Sequence, residues 1–182
     1  MTTVFIFHGA GGHPKENWFD WLRQQLEREG HRVFVPQFPT PKNQTLENWL
    51  SVLGEYKQDL PHSILVGHSL GVPFALNLLE RYPIKASFLV SGFTGKAGNQ
   101  FDPGMKTFAQ RVFHWERIMK NCGRFYVFHS DNDPYIRLEK AEELAKNLGV
   151  KVNLVKNAGH FNETAGYTTF KLLFDRIKAE LG

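Results

Sequence analysis

Five consecutive residues, Gly67-His68-Ser69-Leu70-Gly71, could place a serine for nucleophilic attack. An apolar run, Ser63-Ile64-Leu65-Val66, leads in, and a largely apolar helical stretch, Leu70 to Tyr82, leads out. Strand, Gly-x-Ser-x-Gly and helix in that order make a sharp turn that lifts the hydroxyl above a sheet edge. Such a turn holds Ser69 in a sparsely populated backbone region and needs Gly67 and Gly71 without a Cβ. A serine hydroxyl is a weak nucleophile at neutral pH and needs a base. Imidazole suits that task, with a carboxylate to fix its tautomer. Downstream of Ser69 the chain supplies Asp131 and Asp133, and then His160 between Gly159 and Phe161. Asp133 is preferred as the acid because Asp133-Pro134-Tyr135-Ile136 turns directly toward the next helix. Asp131 is left to cap or orient its loop, a common use of Asp in turns.

The order Ser69, Asp133, His160 is that of α/β-hydrolases. An oxyanion site needs backbone N–H groups aimed at developing charge. One is expected from Leu70, which follows the serine. The other is expected from the glycine-rich loop His8-Gly9-Ala10-Gly11-Gly12, with Ala10 first and Gly11 a close candidate.

The elements that must position these residues alternate along the chain. Apolar, β-branched runs predict strands at Val4–Phe7, Arg32–Val35, Ser63–Val66, Ala86–Val90, Arg124–Phe128 and Lys151–Val155. Between them, Glu16–Glu29 reads as an amphipathic helix stopped by Gly30. Thr45 is an N-cap for a helix with Leu46, Trp49, Leu50 and Leu53 on one face. The helix after Ser69 is apolar nearly all round, with Pro73 tolerated in its first turn. Ser91 to Met105 is polar and Gly-rich. Phe108, Val112, Trp115 and Met119 then recur at near-heptad spacing and predict one helical segment. Helices are also expected at Leu138–Leu148 and roughly Tyr167–Leu181. This alternation predicts a mostly parallel sheet of about six strands with helices on both faces, in three layers. His8–Gly12, Ser69, Asp131–Asp133 and His160 all follow strands, so they share the carboxyl edge, where such sheets bind ligands.

Composition narrows the function classes. The 182 residues carry a formal charge of +4, with Lys and Arg scattered rather than clustered. Neither nucleic acid nor a membrane surface is expected as a partner. Cys122 is the only cysteine, so no intrachain disulfide forms. Met1–Phe7 lacks a basic leader and its apolar stretch is short, so a cytoplasmic protein is expected. No linker or repeat divides the chain, and residues 1–182 are expected to form one domain. Gly9-Ala10-Gly11 is a poor dinucleotide loop, because Pro14 takes the final glycine position and no acid follows the second strand. No P-loop is present, and no His or Cys spacing suggests a metal. No cofactor is expected. Phe93, Phe101 and Trp115 are candidates for a pocket wall. Nothing in the sequence sets an oligomeric state.

Taken together, His8-Gly9-Ala10-Gly11-Gly12, Trp18-Phe19-Asp20-Trp21-Leu22, Gly67-His68-Ser69-Leu70-Gly71, Ser130-Asp131-Asn132-Asp133-Pro134-Tyr135 and Gly159-His160-Phe161 resemble the small serine hydrolases of the YdeN and retinoblastoma-binding protein 9 type. The resemblance spans nearly the whole chain. It implies a minimal α/β-hydrolase fold without a large lid, and Ser69, Asp133 and His160 as the catalytic triad. Arg137 departs from the pattern, standing where many hydrolases carry Pro after the acid loop. Two function classes follow. One is an esterase-like enzyme acting on small acyl esters through an acyl-enzyme. The other is a protein-binding module that keeps the fold with incidental activity or none. An intact Ser, Asp and His favours the first, because binding alone does not require them.

Overall fold

The computed structural model describes the whole chain, Met1–Gly182. Its elements run β1 (Thr3–Phe7), α1 (Phe19–Arg28), β2 (Arg32–Phe34), α2 (Leu46–Leu53), β3 (Ile64–His68), α3 (Gly71–Leu79), β4 (Ala86–Val90), α4 (Asp102–Ala109), α5 (Trp115–Asn121), β5 (Phe125–Ser130), α6 (Leu138–Asn147), β6 (Val152–Val155) and α7 (Lys171–Leu181). The six strands form one sheet in the order β2-β1-β3-β4-β5-β6, and every pair is parallel.

Strand residues alternate between faces, and here both faces are apolar. From β1, Phe5 and Phe7 enter one core with Leu65, Leu89 and Val127. Helices α2 to α6 cover that side through residues such as Trp49, Phe74, Phe108, Ile118 and Leu144. Val4 and Ile6 enter the second core with Val66, Phe88 and Phe128, where α1 and α7 supply Phe19, Leu22, Leu173 and Ile177. Two cores on opposite faces of one sheet make the three layers. Each fully buried Phe or Leu stabilises them by roughly 1.5–3 kcal/mol.

Strand order reverses direction between β1 and β3. β1 is followed by the crossover to β2 on one side, and β3 by the crossover to β4 on the other. The loops leaving these two neighbouring strands diverge and open a crevice at the carboxyl edge. The first loop (residues 8–12) and Ser69 occupy that position, as expected from their place after strands.

Backbone contact between the two strands is close. A Cβ on Gly71 would lie 2.3 Å from the Phe7 carbonyl oxygen, and one on Gly67 would lie 2.6 Å from the Gly71 oxygen. The expected absence of a Cβ at both positions therefore has a specific cause: each faces main chain, which cannot step aside.

Some sequence expectations are corrected. The single segment expected through Phe108, Val112, Trp115 and Met119 is two helices, α4 and α5. Helix α4 ends at Gln110 (φ −91°, ψ 61°). Arg111 then turns back onto α3, bonding Asn77 Oδ1 and pairing with Glu80 at 2.8 Å. Val112 is thrown out to solvent, 82% exposed. The first helix starts at Phe19 rather than Glu16, because Glu16 and Asn17 turn into the crevice, with Asn17 at φ 53°. The last helix starts at Lys171, because Tyr167 and Phe170 pack onto Phe161 instead of continuing a helix. Thr45 is the N-cap as expected, its hydroxyl accepting from Asn48 N–H at 3.2 Å.

Gly71→Ala is expected to destabilise the protein by more than about 2 kcal/mol, because neither backbone can yield. Gly54→Ala, where a Cβ meets nothing within 4 Å, is expected to be neutral or mildly stabilising, within about 1 kcal/mol. Urea denaturation of the two variants measures the contrast.

Candidate active site

Ser69 sits between β3 and α3 with φ 54°. That left-handed conformation costs a non-glycine residue of the order of 1–3 kcal/mol. The turn is held by Ser69 N–H donating to Val90 O at 2.9 Å and Val72 N–H donating back to Ser69 O at 3.0 Å. The side chain lies over Gly9, where a Cβ would come within 3.1 Å of Ser69 Cβ. Ser69 Oγ makes no hydrogen bond to His160 in this arrangement. The two side chains instead face one crevice of about 390 Å³.

His160 and Asp133 are in direct contact. His160 Nδ1 lies 2.8 Å and 3.0 Å from the two carboxylate oxygens of Asp133. With Nδ1–H committed there, Nε2 keeps the free lone pair. Asp133 Oδ1 also accepts the N–H groups of Tyr135 (2.9 Å) and Ile136 (3.0 Å). Burial of the carboxyl pushes its pKa up, but the His160 hydrogen bond and charge and the two backbone donors outweigh it. The net shift is downward, so Asp133 stays ionised at neutral pH.

The loop carrying His160 rests on the loop carrying Asp133. Asp131 Oδ1 accepts from Asn157 N–H (2.8 Å), Ser130 Oγ from Ala158 N–H (2.9 Å) and Asn132 Oδ1 from Gly159 N–H (2.8 Å). Three successive amides are thus held by three successive side chains. Asp131 binds backbone, and Asp133 faces the imidazole.

Two further contacts pin the histidine loop from the other side. Trp18 Nε1–H donates to Phe161 O at 2.9 Å. Asn17 and Glu163 exchange bonds, each backbone N–H donating to the other's side chain at 2.9 and 3.0 Å. The elbow residue His68 contributes as well. It is 3% exposed, and its Nε2–H donates to the His160 carbonyl at 2.8 Å. Burial, then the nearby His160, lowers its pKa to about 3, so His68 is neutral and serves as a strut.

The N–H groups of Ala10 and Leu70 have no partner in the protein. Leu70 opens helix α3, whose first amides are unpaired by geometry and favour negative charge. Gly11, the alternative donor in the first loop, is already committed to Thr40 Oγ1 at 2.6 Å.

One wall of the crevice is apolar, with Phe101, Met105, Tyr135 and Ile136. Tyr135 packs edge-on against the His160 ring at 5.0 Å. Of the three aromatic residues proposed for a wall, Phe101 lines the crevice. Phe93 is fully buried in the core, and Trp115 packs against that core beside Phe113. The rest of the lining is largely polar and includes His13, Glu16 and Glu163, with no Lys or Arg. Burial raises the Glu16 pKa, opposed by His13 and reinforced by the charge of Glu163. No three His, Cys, Asp or Glu side chains converge as a metal site. No helix is long and apolar enough to cross a membrane.

Sequence reasoning missed Glu16, Asn17, Thr40, Tyr135 and Glu163. Asn17, next to Trp18, could have been noticed as a residue type tolerant of positive φ. The others have no local signature, because their role depends on which loops meet.

The chain is similar to known proteins over most of its length. A model of the serine hydrolase family matches residues 4–179. The hydrolase YdeN of Bacillus subtilis is 29% identical over 177 residues, covering 94% of this chain and 92% of its own. Serine hydrolase RBBP9 of Rattus norvegicus is 28% identical over 158 residues, covering 86% and 84%. The crystal structure of the ydeN gene product superposes with a TM-score of 0.92 at 27% identity, covering 100% of this chain and 99% of the other. Est1E from Butyrivibrio proteoclasticus shares the fold, with a TM-score of 0.72 at 16% identity and coverage of 99% and 88%.

Buried neutral histidines make stability depend on pH. The usual His pKa of 6.5 falls to about 4 in His8 and about 3 in His68, chiefly through burial. The unfolded chain binds these protons first, so stability is full above about pH 6.5 and is lost as pH falls toward 4. Asp133, with its pKa lowered, adds a further loss below the ordinary carboxylate range. Thermal denaturation at constant ionic strength should therefore show Tm falling between pH 6.5 and 4, and His68→Leu should flatten part of that slope.

Proposed function

The chain belongs to the serine hydrolase family, and from that premise we propose that it is a carboxylic-ester hydrolase of small acyl substrates, with Ser69 as nucleophile. The observation that carries the reading is the bond from His160 Nδ1 to the buried, ionised Asp133, with His160 lining the same crevice as the strained serine. A structural histidine has no need of a free Nε2 facing a crevice.

His160 Nε2 takes the proton from Ser69 Oγ as the oxygen attacks the ester carbonyl carbon. The carbonyl π pair moves onto oxygen, where the N–H groups of Ala10 and Leu70 stabilise the charge, each contributing about 2.7–4 kcal/mol. As the intermediate collapses, the C–O bond to the leaving alcohol breaks and His160 returns its proton to that oxygen. Water then attacks the acyl-enzyme with His160 again as base, releasing the acid and restoring Ser69. Asp133 holds the imidazole tautomer and stabilises the imidazolium. The apolar wall of Phe101, Met105 and Ile136 suits a short acyl chain. Their crevice is modest, and no long segment covers it.

A fluorophosphonate probe is expected to label the wild type on Ser69, with labelling abolished in Ser69→Ala. Mass spectrometry of the digested adduct reads the position, and a folded wild type that resists the probe would overturn the proposal. With p-nitrophenyl butyrate, Asp133→Asn should lower kcat by roughly 10²–10⁴-fold, because the neutral amide carries no charge to stabilise the imidazolium and its NH2 group can hold the ring in the wrong tautomer. Asp131→Asn, which keeps an oxygen for Asn157 N–H, should stay within about tenfold of wild type. The reverse ranking would reassign the acid.

A further inference from the structure

The Ala10 N–H lies in the Gly9–Ala10 peptide plane, and the turn that holds that plane closes through the next one, Ala10–Gly11. In the Gly9–Ala10 plane the carbonyl is held. Gly9 O accepts from His8 Nδ1–H at 2.8 Å and from Gly12 N–H at 3.2 Å. Because the peptide is planar and trans, fixing that oxygen points the Ala10 N–H the opposite way. His8 is itself fixed, since its Nε2 accepts the Phe38 N–H at 3.0 Å. In the next plane, Ala10–Gly11, the N–H is held instead, by Thr40 Oγ1.

Thr40 belongs to a longer chain. Its hydroxyl donates to Gln44 Oε1, and Gln44 Nε2 donates to Gly104 O at 2.8 Å. A Cβ on Gly104 would come within 3.2 Å of that nitrogen, so glycine leaves the amide its place. A second bond, Leu46 N–H to Thr107 Oγ1 at 3.0 Å, ties the same stretch to α4. Helix α4 carries Met105 of the apolar wall and follows directly on Phe101. The segment Thr40–Leu46 therefore bridges the first loop and the wall against which an acyl chain would lie.

We propose that Thr40, supported by Gln44, is a positioning residue that fixes the Ala10 amide as an oxyanion donor and couples it to the apolar wall on α4. The inference rests on the ester-hydrolase reading of the same crevice. Thr40 touches neither the substrate nor the reacting atoms. It acts by immobilising the peptide plane beyond Ala10 and by keeping the Gly11 N–H from competing for the same charge. Without that bond Gly11, at φ 71° and with nothing within 4 Å of a Cβ, has no steric restraint of its own. The turn that brings Gly12 N–H to Gly9 O would then loosen, and the first loop would sample orientations in which Ala10 N–H points elsewhere.

The experiment compares wild type, Thr40→Val, Thr40→Ser and Gln44→Met, each checked for folding by circular dichroism. Readouts are hydrolysis of p-nitrophenyl butyrate, affinity for phenylboronic acid (which forms a tetrahedral adduct on the serine), and affinity for butyrate. Removing one oxyanion donor outright costs about 10²–10³-fold in kcat. Thr40→Val, which misaligns one, is expected to lose roughly 10–100-fold in kcat, with KM within about twofold. Phenylboronic acid affinity should fall in parallel while butyrate affinity holds. Thr40→Ser should recover most of the loss, and Gln44→Met should fall between. A folded Thr40→Val with wild-type kcat, or an equal loss in Thr40→Ser, overturns the inference. If Thr40→Val does not fold, Gln44→Met decides: lower kcat with unchanged KM supports the inference, and wild-type kcat overturns it. A wild type with no esterase activity and no probe labelling overturns the ester-hydrolase reading itself, a result distinct from an active wild type whose variants match it.

Discussion

The constraint on which the rest depends is the approach of two backbones at the start of α3. A Cβ on Gly71 would meet the Phe7 carbonyl at 2.3 Å, and one on Gly67 would meet Gly71 at 2.6 Å. Only bare main chain can pass through that space. Because it does, β3 runs directly into a helix that lies against β1. The residue between them is forced to φ 54° and its side chain is lifted off the sheet. The same closeness puts Gly9 under Ser69 and brings the first loop beside the first amides of α3. One steric fact thus sets the position of the serine, the helix terminus and the loop that faces it.

The remaining parts are placed by loops, which need other restraints. Loops have no ladder to hold them, so each polar group must be accounted for separately. The histidine loop is held from below by Ser130, Asp131 and Asn132 and from the side by Trp18 and the Asn17–Glu163 exchange. His68 adds a strut from the elbow to the His160 carbonyl. The imidazole is therefore tied both to the turn that carries Ser69 and to the loop that carries Asp133. Its distance from either changes little unless one of those bonds breaks. The neutrality of His68 matters to this arrangement. A charged ring 4.9 Å from the His160 ring would disfavour the imidazolium, whereas a buried ring that stays neutral at working pH does not.

Most of the frame was legible in the sequence because it follows from periodicity. All six strands begin within one residue of their expected start, and β4, Ala86–Val90, matches at both ends. A continuous apolar run between turn residues has few other readings. Ser69, Asp133 and His160 follow β3, β5 and β6 of an all-parallel sheet, so topology alone put them on one edge. The helix expected through Val112 failed because near-heptad spacing says nothing about Arg111, whose side chain bends the chain back to Asn77 and Glu80. Thr40 and Gln44 were illegible for a similar reason. Each is an ordinary polar residue in a Pro-flanked loop, and its meaning comes from Gly11 and Gly104, 29 and 60 positions away in the chain.

Backbone strain is concentrated where the chemistry is proposed. Six of the seven non-glycine residues with positive φ, Asn17, Asn43, Ser69, Ser91, Asn157 and Phe161, lie on loops at the carboxyl edge of the sheet. Asparagine tolerates this conformation best, while Ser69, Ser91 and Phe161 are the costlier cases. Each is locked by bonds to regular structure: Ser69 N–H to Val90 O, Ser91 N–H to Phe128 O, and Phe161 between the Trp18 indole and the ring of Phe170. The two apolar cores supply the stabilisation that holds these turns, and the turns lie directly above them. A serine held this way has lost its alternatives before any substrate arrives. In the proposed reaction, reorganisation would fall to the hydroxyl rotor and to water leaving the crevice, and the backbone that carries the Ala10 and Leu70 amides would not need to move.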